Sequence, residues 1–269
     1  MTKNWMFAAL AVSLVTGACV RSSSTDSVDS AGAAVDSQEA VSDEGDVMIA
    51  TIDGADAGAT PTVAVTATQA SATIAANVAS RWTGNCAVAT QSGADVTVTL
   101  TDCTGPRGLV HVTGELDLTI AIAPSGAITV HATATDLEVN GATLDFTADG
   151  TYTESGSMRQ LVVTAEGSGT GARGNAIDHD GNYTLQWDTT DECRSIDGEW
   201  STELSTPVAS ATRANDVDIS RCGASCPTGT LTHTYIGGAT LTITYDGTAT
   251  AAWATSGGLK GTVGLFCTP

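Results

Sequence analysis

Basic and aromatic residues are scarce in this sequence. Of its 269 residues, 10 are Lys or Arg and 30 are Asp or Glu, so the formal net charge is −20, and aromatic residues make up only 4%. A chain with this much negative charge is repelled by the phosphates of nucleic acids and by anionic lipid headgroups. We therefore expect no nucleic-acid partner, and solubility is the plainest explanation of the acidity.

The sequence also lacks the short motifs of common catalytic and metal centres. It contains no Gly-x-Ser-x-Gly, no His-Glu-x-x-His and no Cys-x-x-Cys. We predict no catalytic residue, no cofactor and no metal ligand, although a Ser-His-Asp site assembled from distant positions stays open. Four histidines are scattered without the spacing of metal ligands, and they are His111, His131, His179 and His233.

The body of the chain lacks a clear helical apolar period of 3.6 residues, whereas a period of two is clear in Asp95–Ile122. Such alternation predicts strands with one buried face. The Gly-Pro-Arg-Gly in the middle of this stretch predicts the turn between two strands. The residues predicted to face inward are Val96, Val98, Leu100, Val110, Val112, Leu116, Leu118, Ile120 and Ile122.

Similar segments recur roughly every 8–14 residues up to the C-terminus. They predict an all-β domain over residues 81–269, with about a dozen antiparallel strands in a sandwich, a barrel-like sheet or an extended meander. The pairs Asp149-Gly150, Asp180-Gly181 and Asp197-Gly198 are typical of tight turns. A change in the alternation predicts a bulge or bend near Asp136.

One segment is echoed later in the chain. Gly141–Thr153 and Gly238–Thr250 are identical at nine of thirteen positions. The echo is consistent either with a duplicated half-domain or with two unrelated strand pairs of similar composition around an Asp-Gly turn.

The first residues have the features of an export signal. Met1–Ala18 contains Lys3 and no acidic residue, followed by an apolar run that is too short to span a membrane. Its end, Leu14-Val-Thr-Gly-Ala-Cys19, resembles the lipobox of bacterial lipoproteins. The resemblance implies cleavage after Ala18 and lipidation of Cys19, and Val20 at the next position implies sorting to the outer membrane. An ordinary secretory signal cut near Ala18 is the alternative.

Residues 19–80 have the composition of a linker. Acidic and small residues dominate this segment and it has few apolar side chains, so it cannot bury enough surface to offset its chain entropy. We therefore expect a disordered acidic tether between the lipid and the β domain, with a short Ala-rich helix over Thr68–Arg81 at its end.

Six cysteines follow Cys19, and an even number in an exported chain predicts disulfides. Cys86 and Cys103 bracket a predicted hairpin, so antiparallel pairing brings them together. Elimination then pairs Cys222 with Cys226 and Cys193 with Cys267, with crossed pairs such as Cys193–Cys222 left open.

Three other patterns resemble functional sites. Gly169–Gly174 spells Gly-x-Gly-x-x-Gly but is followed by no predicted helix, so we interpret it as a loop and not as a dinucleotide site. Asp178–Asn182 contains oxygen ligands suitable for calcium, but a turn is the preferred interpretation. Acidic pairs spaced two residues apart are more typical of a solvated strand face than of a glycosidase site. The pairs in this sequence are Glu115/Asp117, Asp136/Glu138, Asp197/Glu199 and Asp216/Asp218.

The string CTGPRGLVH, with the later NGATLD, GTGARGN and CPTGTLTHT, resembles uncharacterised β-rich lipoproteins of Gram-negative bacteria. The resemblance implies export and an all-β fold, and it implies no activity. We expect an envelope or surface lipoprotein with a structural or binding role. The alternatives are a secreted hydrolase of polysaccharide or peptide, which needs a pocket with a buried acid or His, and a barrel-like carrier, which needs an open apolar cavity.

Overall fold

The computed structural model of the protein describes residues 24–53, 66–105, 110–190, 193–204, 212–223, 225–235 and 238–267. The predicted signal peptide and Cys19 lie outside these residues. No helix in the described ranges is long and apolar enough to cross a membrane. In chain order the elements are α1 (Ser24–Ile52), α2 (Ala67–Arg81), β1 (Ala87–Ser92), β2 (Asp95–Thr104), β3 (His111–Ile122), β4 (Ile128–Val139), β5 (Ala142–Ser155), β6 (Met158–Thr170), β7 (Ala176–Asp188), β8 (Cys193–Leu204), β9 (Thr212–Cys222), β10 (Thr228–Tyr235), β11 (Thr240–Asp246), β12 (Thr250–Thr255) and β13 (Lys260–Gly264).

All thirteen strands belong to one antiparallel sheet. Each strand pairs with its neighbours in the sequence, so the order runs from β1 to β13 without a crossover. The sheet is not closed into a barrel, and β1 and β13 form its two edges. The prediction of an all-β antiparallel fold is therefore confirmed, and of the three predicted arrangements the meander is the one observed.

The inward-facing residues predicted for β2 and β3 form part of the core. All of them are buried except Ile122, which is half-buried and packs against the others. The predicted bulge is also present, because the register of β4 and β5 shifts between Ala134 and Leu137 and Asp136 has a φ of 52°. Period-two alternation therefore located both the buried face and its interruption.

A long helix occupies the inner face of the sheet. Helix α1 has 29 residues and contacts β5, β7, β8, β13 and α2. Its apolar side chains are buried around the whole circumference, so the sheet curls around the helix. The buried apolar residues are Ala31, Ala33, Ala34, Val35, Ala40, Val41, Val47, Met48, Ile49, Ala50 and Ile52.

The expected disorder of residues 19–80 is wrong for Ser24–Ile52. The composition argument considers only what the segment can bury by itself. Here the sheet supplies the missing apolar surface, and most isolated helices likewise need such packing to be stable. The expected helix at the end of the linker is confirmed, since α2 spans Ala67–Arg81.

Helix α2 covers the first strands of the sheet. It begins with a capping box, in which the Thr66 hydroxyl accepts from the Gln69 N–H and the Gln69 side chain accepts from the Thr66 N–H. Its buried residues include Ile74 and Val78, and it contacts β1, β2 and β3. At its end, Arg81 forms an ion pair with Asp53, N···O 2.9 Å, just after α1.

The three Asp-Gly pairs do not form the turns that the sequence predicts. They lie inside β5, β7 and β8, which continue through them. A Cβ at Gly150 would overlap the side chains of Leu161 and Val130, and a Cβ at Gly181 would overlap the Glu199 carbonyl oxygen and the Cα and Cβ of Trp200. Glycine is needed here because side chains and backbone of the neighbouring strands approach closely, and not because the chain reverses.

The two echoed segments have different structures beyond their first residues. Gly141–Thr153 enters β5 and continues as one strand, whereas Asp246 ends β11 and Gly247, with a φ of 83°, turns the chain towards β12. The shared sequence therefore does not produce a repeated hairpin.

Three disulfides connect the six cysteines after Cys19. The predicted Cys86–Cys103 bridge is present, with 5.2 Å between the Cα atoms. The pairs obtained by elimination are wrong, because the observed bridges are Cys193–Cys222 and Cys226–Cys267. Cys193 and Cys222 lie directly opposite each other on β8 and β9, a register that the sequence does not reveal.

Candidate functional site

Helix α1 carries polar as well as apolar side chains into the interior. Buried polar groups require hydrogen-bond partners, and the sheet provides several of them. The Ser37 hydroxyl, for example, lies 2.6 Å from the Thr202 hydroxyl and accepts from the Trp200 indole N–H at 3.2 Å. The polar residues of α1 that are at most 8% exposed include Asp36, Ser37, Gln38, Asp43, Glu44, Asp46 and Thr51.

Arg173 holds the middle of α1 from the turn between β6 and β7. Its guanidinium donates to Asp36 Oδ1 at 2.6 Å and to Glu39 Oε2 at 2.7 Å. It also donates to the carbonyl oxygen of Gly264 at the end of β13 and lies 4.6 Å from the centre of the Phe266 ring. A single side chain thereby joins the helix, the β6–β7 turn and the last strand.

A second polar contact lies deeper in the interior. Glu44 of α1 accepts a short hydrogen bond from the Tyr183 hydroxyl, and its other carboxylate oxygen is 3.3 Å from His179 Nε2. Burial, followed by the nearby Glu44 charge, raises the pKa of Tyr183 well above its ordinary value. Tyr183 therefore stays protonated and acts as a donor that fixes the carboxylate.

A cavity of about 780 Å³, lined by polar and apolar groups in similar parts, lies beside α1. Its walls include residues of α1, the start of β8, the end of β9 and the turn between β4 and β5. Phe266 also contributes to the lining. Many of the lining groups are charged or can form hydrogen bonds. They include Gln38, Glu39, Ser42, Asp43, Asn140, Arg194, Ser195 and Arg221.

Asp43 is the buried acid of this cavity. The Asn140 side-chain amide donates to its Oδ1 at 2.8 Å, and no ion pair of Asp43 is present in the described ranges. Burial, with a smaller contribution from the negative charge of Glu39, raises the pKa of Asp43 to about 7. The pKa of this carboxyl group therefore lies near neutral pH, and the group belongs to the lining of the cavity.

Two arginines also line the cavity. Arg194 on β8 and Arg221 on β9 are register partners, directly beside the Cys193–Cys222 bridge. Arg194 forms an ion pair with Asp46 of α1, and Arg221 Nε donates to the Ser225 carbonyl oxygen at 2.6 Å. Burial and the charge of Arg221 lower the pKa of Arg194 to about 9.

The structure brings only some of the sequence-predicted patterns near this site. Gly169–Gly174 contains the end of β6 and the turn to β7, where it contributes Arg173 and forms no dinucleotide loop followed by a helix. In β7 the outer face carries Asp178 and Asp180 and the inner face carries His179, so the predicted turn is wrong. No cluster of acids, histidines and cysteines suited to a metal ion is found in the described part of the chain.

The acidic pairs are exposed where their side chains are described. Glu115, Asp117, Asp136, Glu138, Asp197 and Glu199 all point to solvent, as a strand face with period two requires. The side chains of Asp216 and Asp218 lie outside the described residues. These pairs therefore belong to the outer face, although Glu138 also reaches the rim of the cavity.

Sequence reasoning missed the residues that build the cavity. Glu39, Asp43 and Asp46 are spaced by four and three residues, which places them near one another on a helix once the segment is recognised as helical. Arg194 and Arg221 occupy the same parity as the buried Ile196 and Ile219. An arginine at an inward-facing strand position needs an acidic partner, and this signal was available in the sequence.

Comparison of the chain with protein-family models, with curated proteins and with solved structures found no match. The function must therefore be argued from the cavity itself.

Proposed function

We propose that the protein is an exported, lipid-anchored envelope protein that binds a small polar ligand in the cavity beside α1 and performs no catalysis. The observation that carries the proposal is the cavity. Its volume of about 780 Å³ lies within the ~300–1,000 Å³ that is usual for small-molecule sites. Its charged and amide groups, among them Asp43, Asn140 and Arg221, converge from three separate elements.

The apolar-carrier alternative has less support than a polar ligand. Helix α1 already covers the apolar inner face of the sheet with Val35, Val41, Met48 and Ile52. An apolar ligand would have to displace these side chains, whereas a polar ligand could use the cavity as it stands.

Ligand binding is testable by thermal stabilisation. A ligand that binds only the folded state raises its melting temperature, and saturation at one hundred times the Kd corresponds to about 2.7 kcal/mol. The mature protein would be screened against neutral and acidic saccharides and small organic acids. Ser42→Trp, which places an indole at the lining of the cavity, should abolish the shift while leaving the circular dichroism spectrum unchanged. The proposal fails if no compound stabilises the protein, or if Ser42→Trp is stabilised equally.

The anchor is a separate part of the proposal. Three disulfides are typical of an oxidising compartment and support export. The lipobox resemblance at Cys19 supports attachment to lipid, and the family's several acyl chains hold firmly where a single chain binds only reversibly. Val20 supports sorting to the outer membrane.

Cys19→Ser, expressed with its leader in the native host, tests the anchor. The parent protein should sediment with the membrane fraction and the variant should remain in the supernatant. Asp102→Asn, an exposed change far along the chain, serves as the control and should sediment like the parent. Sedimentation of Cys19→Ser with membranes would show that something other than lipid holds the protein.

A hydrolase is the second candidate, and Asp43 is the observation that favours it. A carboxyl group with a pKa near 7 suits a general acid in glycoside hydrolysis. The acids beside it on α1, Asp36 and Glu39, are held by Arg173, which leaves no evident free partner there. Chromogenic glycosides and peptides test this candidate directly. Turnover that disappears in Asp43→Asn would establish it, and absence of turnover would exclude it for those substrates.

A further inference from the structure

Arg194 and Arg221 form an unusual cross-strand pair. They lie directly opposite each other on the inner face of β8 and β9, and the adjacent Cys193–Cys222 bridge fixes this register. Like charges at directly opposed positions destabilise a sheet. The disulfide prevents the strands from sliding to separate them, so the repulsion is built into the fold.

The acids of the protein neutralise this pair only in part. Asp46 forms an ion pair with Arg194, but Arg221 forms none with any described residue. Arg194 Nε is buried without a hydrogen-bond partner, and its side chain is only 10% exposed. A buried donor without a partner is unfavourable, so the pair still lacks a hydrogen-bond acceptor.

The nearest other acid does not fill this role near neutral pH. Asp43 shares the cavity with both arginines, and its own hydrogen bond comes from Asn140. Below pH 7 it is largely protonated, and the remaining acids near the two arginines are Asp46, which pairs with Arg194, and Glu39, which pairs with Arg173. An anion that enters the cavity would then meet two guanidinium groups and no carboxylate charge from Asp43.

We propose that Arg194 and Arg221 bind the carboxylate group of a small ligand in the cavity beside α1. The planar guanidinium fork matches a carboxylate, and charge-assisted hydrogen bonds to it are among the strongest that proteins form. The remaining polar walls, including Ser42, Ser195 and Asn140, offer both donors and acceptors to the uncharged part of the ligand. The inference rests on the proposed function, because it assigns the ligand class of the same cavity.

A carboxylate could come from an acidic saccharide or from a simple organic acid, and the probes separate these sources. Binding of glucuronate, glucose and acetate to the full mature protein is measured by calorimetry at pH 6 and low salt. Glucuronate should bind at least about tenfold more tightly than glucose, which has the same ring without the carboxylate. Acetate that binds as tightly as glucuronate assigns the simple acid, and weaker acetate binding assigns the acidic saccharide.

Variants identify the arginines as the receptor. Arg221→Gln should weaken glucuronate binding by at least about tenfold, and Arg221→Lys should retain part of the affinity because it keeps the charge. Lys260→Gln removes the same charge from an exposed position on β13, away from the cavity walls, and should leave the affinity unchanged. Melting temperatures of all three variants establish that they are folded. Equal affinity of Arg221→Gln and wild type overturns the proposal.

Raising the pH provides an independent readout. Ionised Asp43 competes for the two arginines, so glucuronate affinity should fall between pH 6 and pH 8 in the wild type and stay nearly constant in Asp43→Asn. The charged groups that act on Asp43 are Glu39 on α1, Arg194 on β8 and Arg221 on β9, and Asp46 of α1 is paired with Arg194. An equal fall in both proteins would contradict the competition and with it the assignment of the site.

The inference and the proposed function fail in different ways. If glucose binds as tightly as glucuronate, or if only uncharged compounds stabilise the protein, the cavity is a binding site but the carboxylate inference is wrong. If no compound binds at all, both are wrong.

Discussion

Replacing Asp43 with Asn should make the protein less sensitive to pH. Asn keeps the shape of the side chain, and its carbonyl oxygen can still accept from the Asn140 amide, as Asp43 Oδ1 does at 2.8 Å. The substitution therefore removes only the negative charge of the side chain. The side chain is buried, with 7% of the residue exposed, so the charge is poorly solvated in the folded protein.

The size of the effect follows from the two pKa values of Asp43. Its pKa is about 7 in the folded protein, against an ordinary value of 3.8. Between these values the folded state binds a proton that the unfolded state does not, so the free energy of unfolding falls as the pH rises. From pH 5 to pH 7 this amounts to about two pKa units, or about 3 kcal/mol. Once the pH has risen past the folded-state pKa, this group causes no further loss of unfolding free energy.

Urea unfolding of wild type and Asp43→Asn at pH 5 and pH 8 measures this difference. The stability of Asp43→Asn relative to wild type should therefore increase by about 3 kcal/mol between pH 5 and pH 8. The contributions of other titrating groups to the pH dependence cancel in the comparison because these groups are present in both proteins. Asp102→Asn is the matched control, since Asp102 is an exposed acid at the rim of the same cavity and Asn tolerates its φ of 51°.

Two results would refute the reasoning about Asp43. A stability difference between wild type and Asp43→Asn that is the same at both pH values would show that the carboxyl group is not protonated by burial. A pH-dependent gain in Asp102→Asn as large as that in Asp43→Asn would assign the effect to the overall negative charge of the protein.

Two further predictions concern the helix and the first disulfide. Arg173→Ala should lower the free energy of unfolding by about 3–5 kcal/mol, because it leaves the buried Asp36 without its cation. Lys260→Ala, an exposed control, should change the free energy of unfolding by less than about 0.5 kcal/mol. Similar losses in both variants would contradict the role of Arg173. Replacing Cys86 and Cys103 with Ser should lower the free energy of unfolding, measured in urea, by about 3 kcal/mol, because the unfolded chain is no longer constrained by the closed loop. An unchanged urea midpoint would show that the bridge does not constrain the unfolded chain.

The sheet could be predicted from the sequence because strands encode their buried face locally. In β2, Val96, Val98 and Leu100 alternate with exposed or half-exposed polar residues, and burial follows this alternation directly. The same period allowed the bulge at Asp136 to be located. Neighbouring strands in a meander also follow each other in the chain, so the Cys86–Cys103 bridge required only a local argument.

Helix α1 could not be predicted by the same reasoning because its partner is the whole sheet. The segment contains few large apolar residues, and its acids are favourable only opposite cations that lie far away in sequence. Arg173, for example, is separated from Asp36 by 137 residues. A composition argument treats such a segment as a solvated chain, whereas the structure pairs its charges inside the protein.

The Asp-Gly pairs and the second disulfide show what local patterns leave undetermined. Asp-Gly favours a tight turn when nothing else acts on the chain, but at Gly181 the backbone of Glu199 and Trp200 on the neighbouring strand lies so close that a Cβ would not fit. The register of β7 with β8 sets this contact. On the other side of β8, its register with β9 joins Cys193 to Cys222 and places Arg194 opposite Arg221. The packing of β7 to β9 and the candidate site therefore have one common origin, the pairing of three long strands around a helix. For this reason the cavity can be assigned only when the three-dimensional register is known.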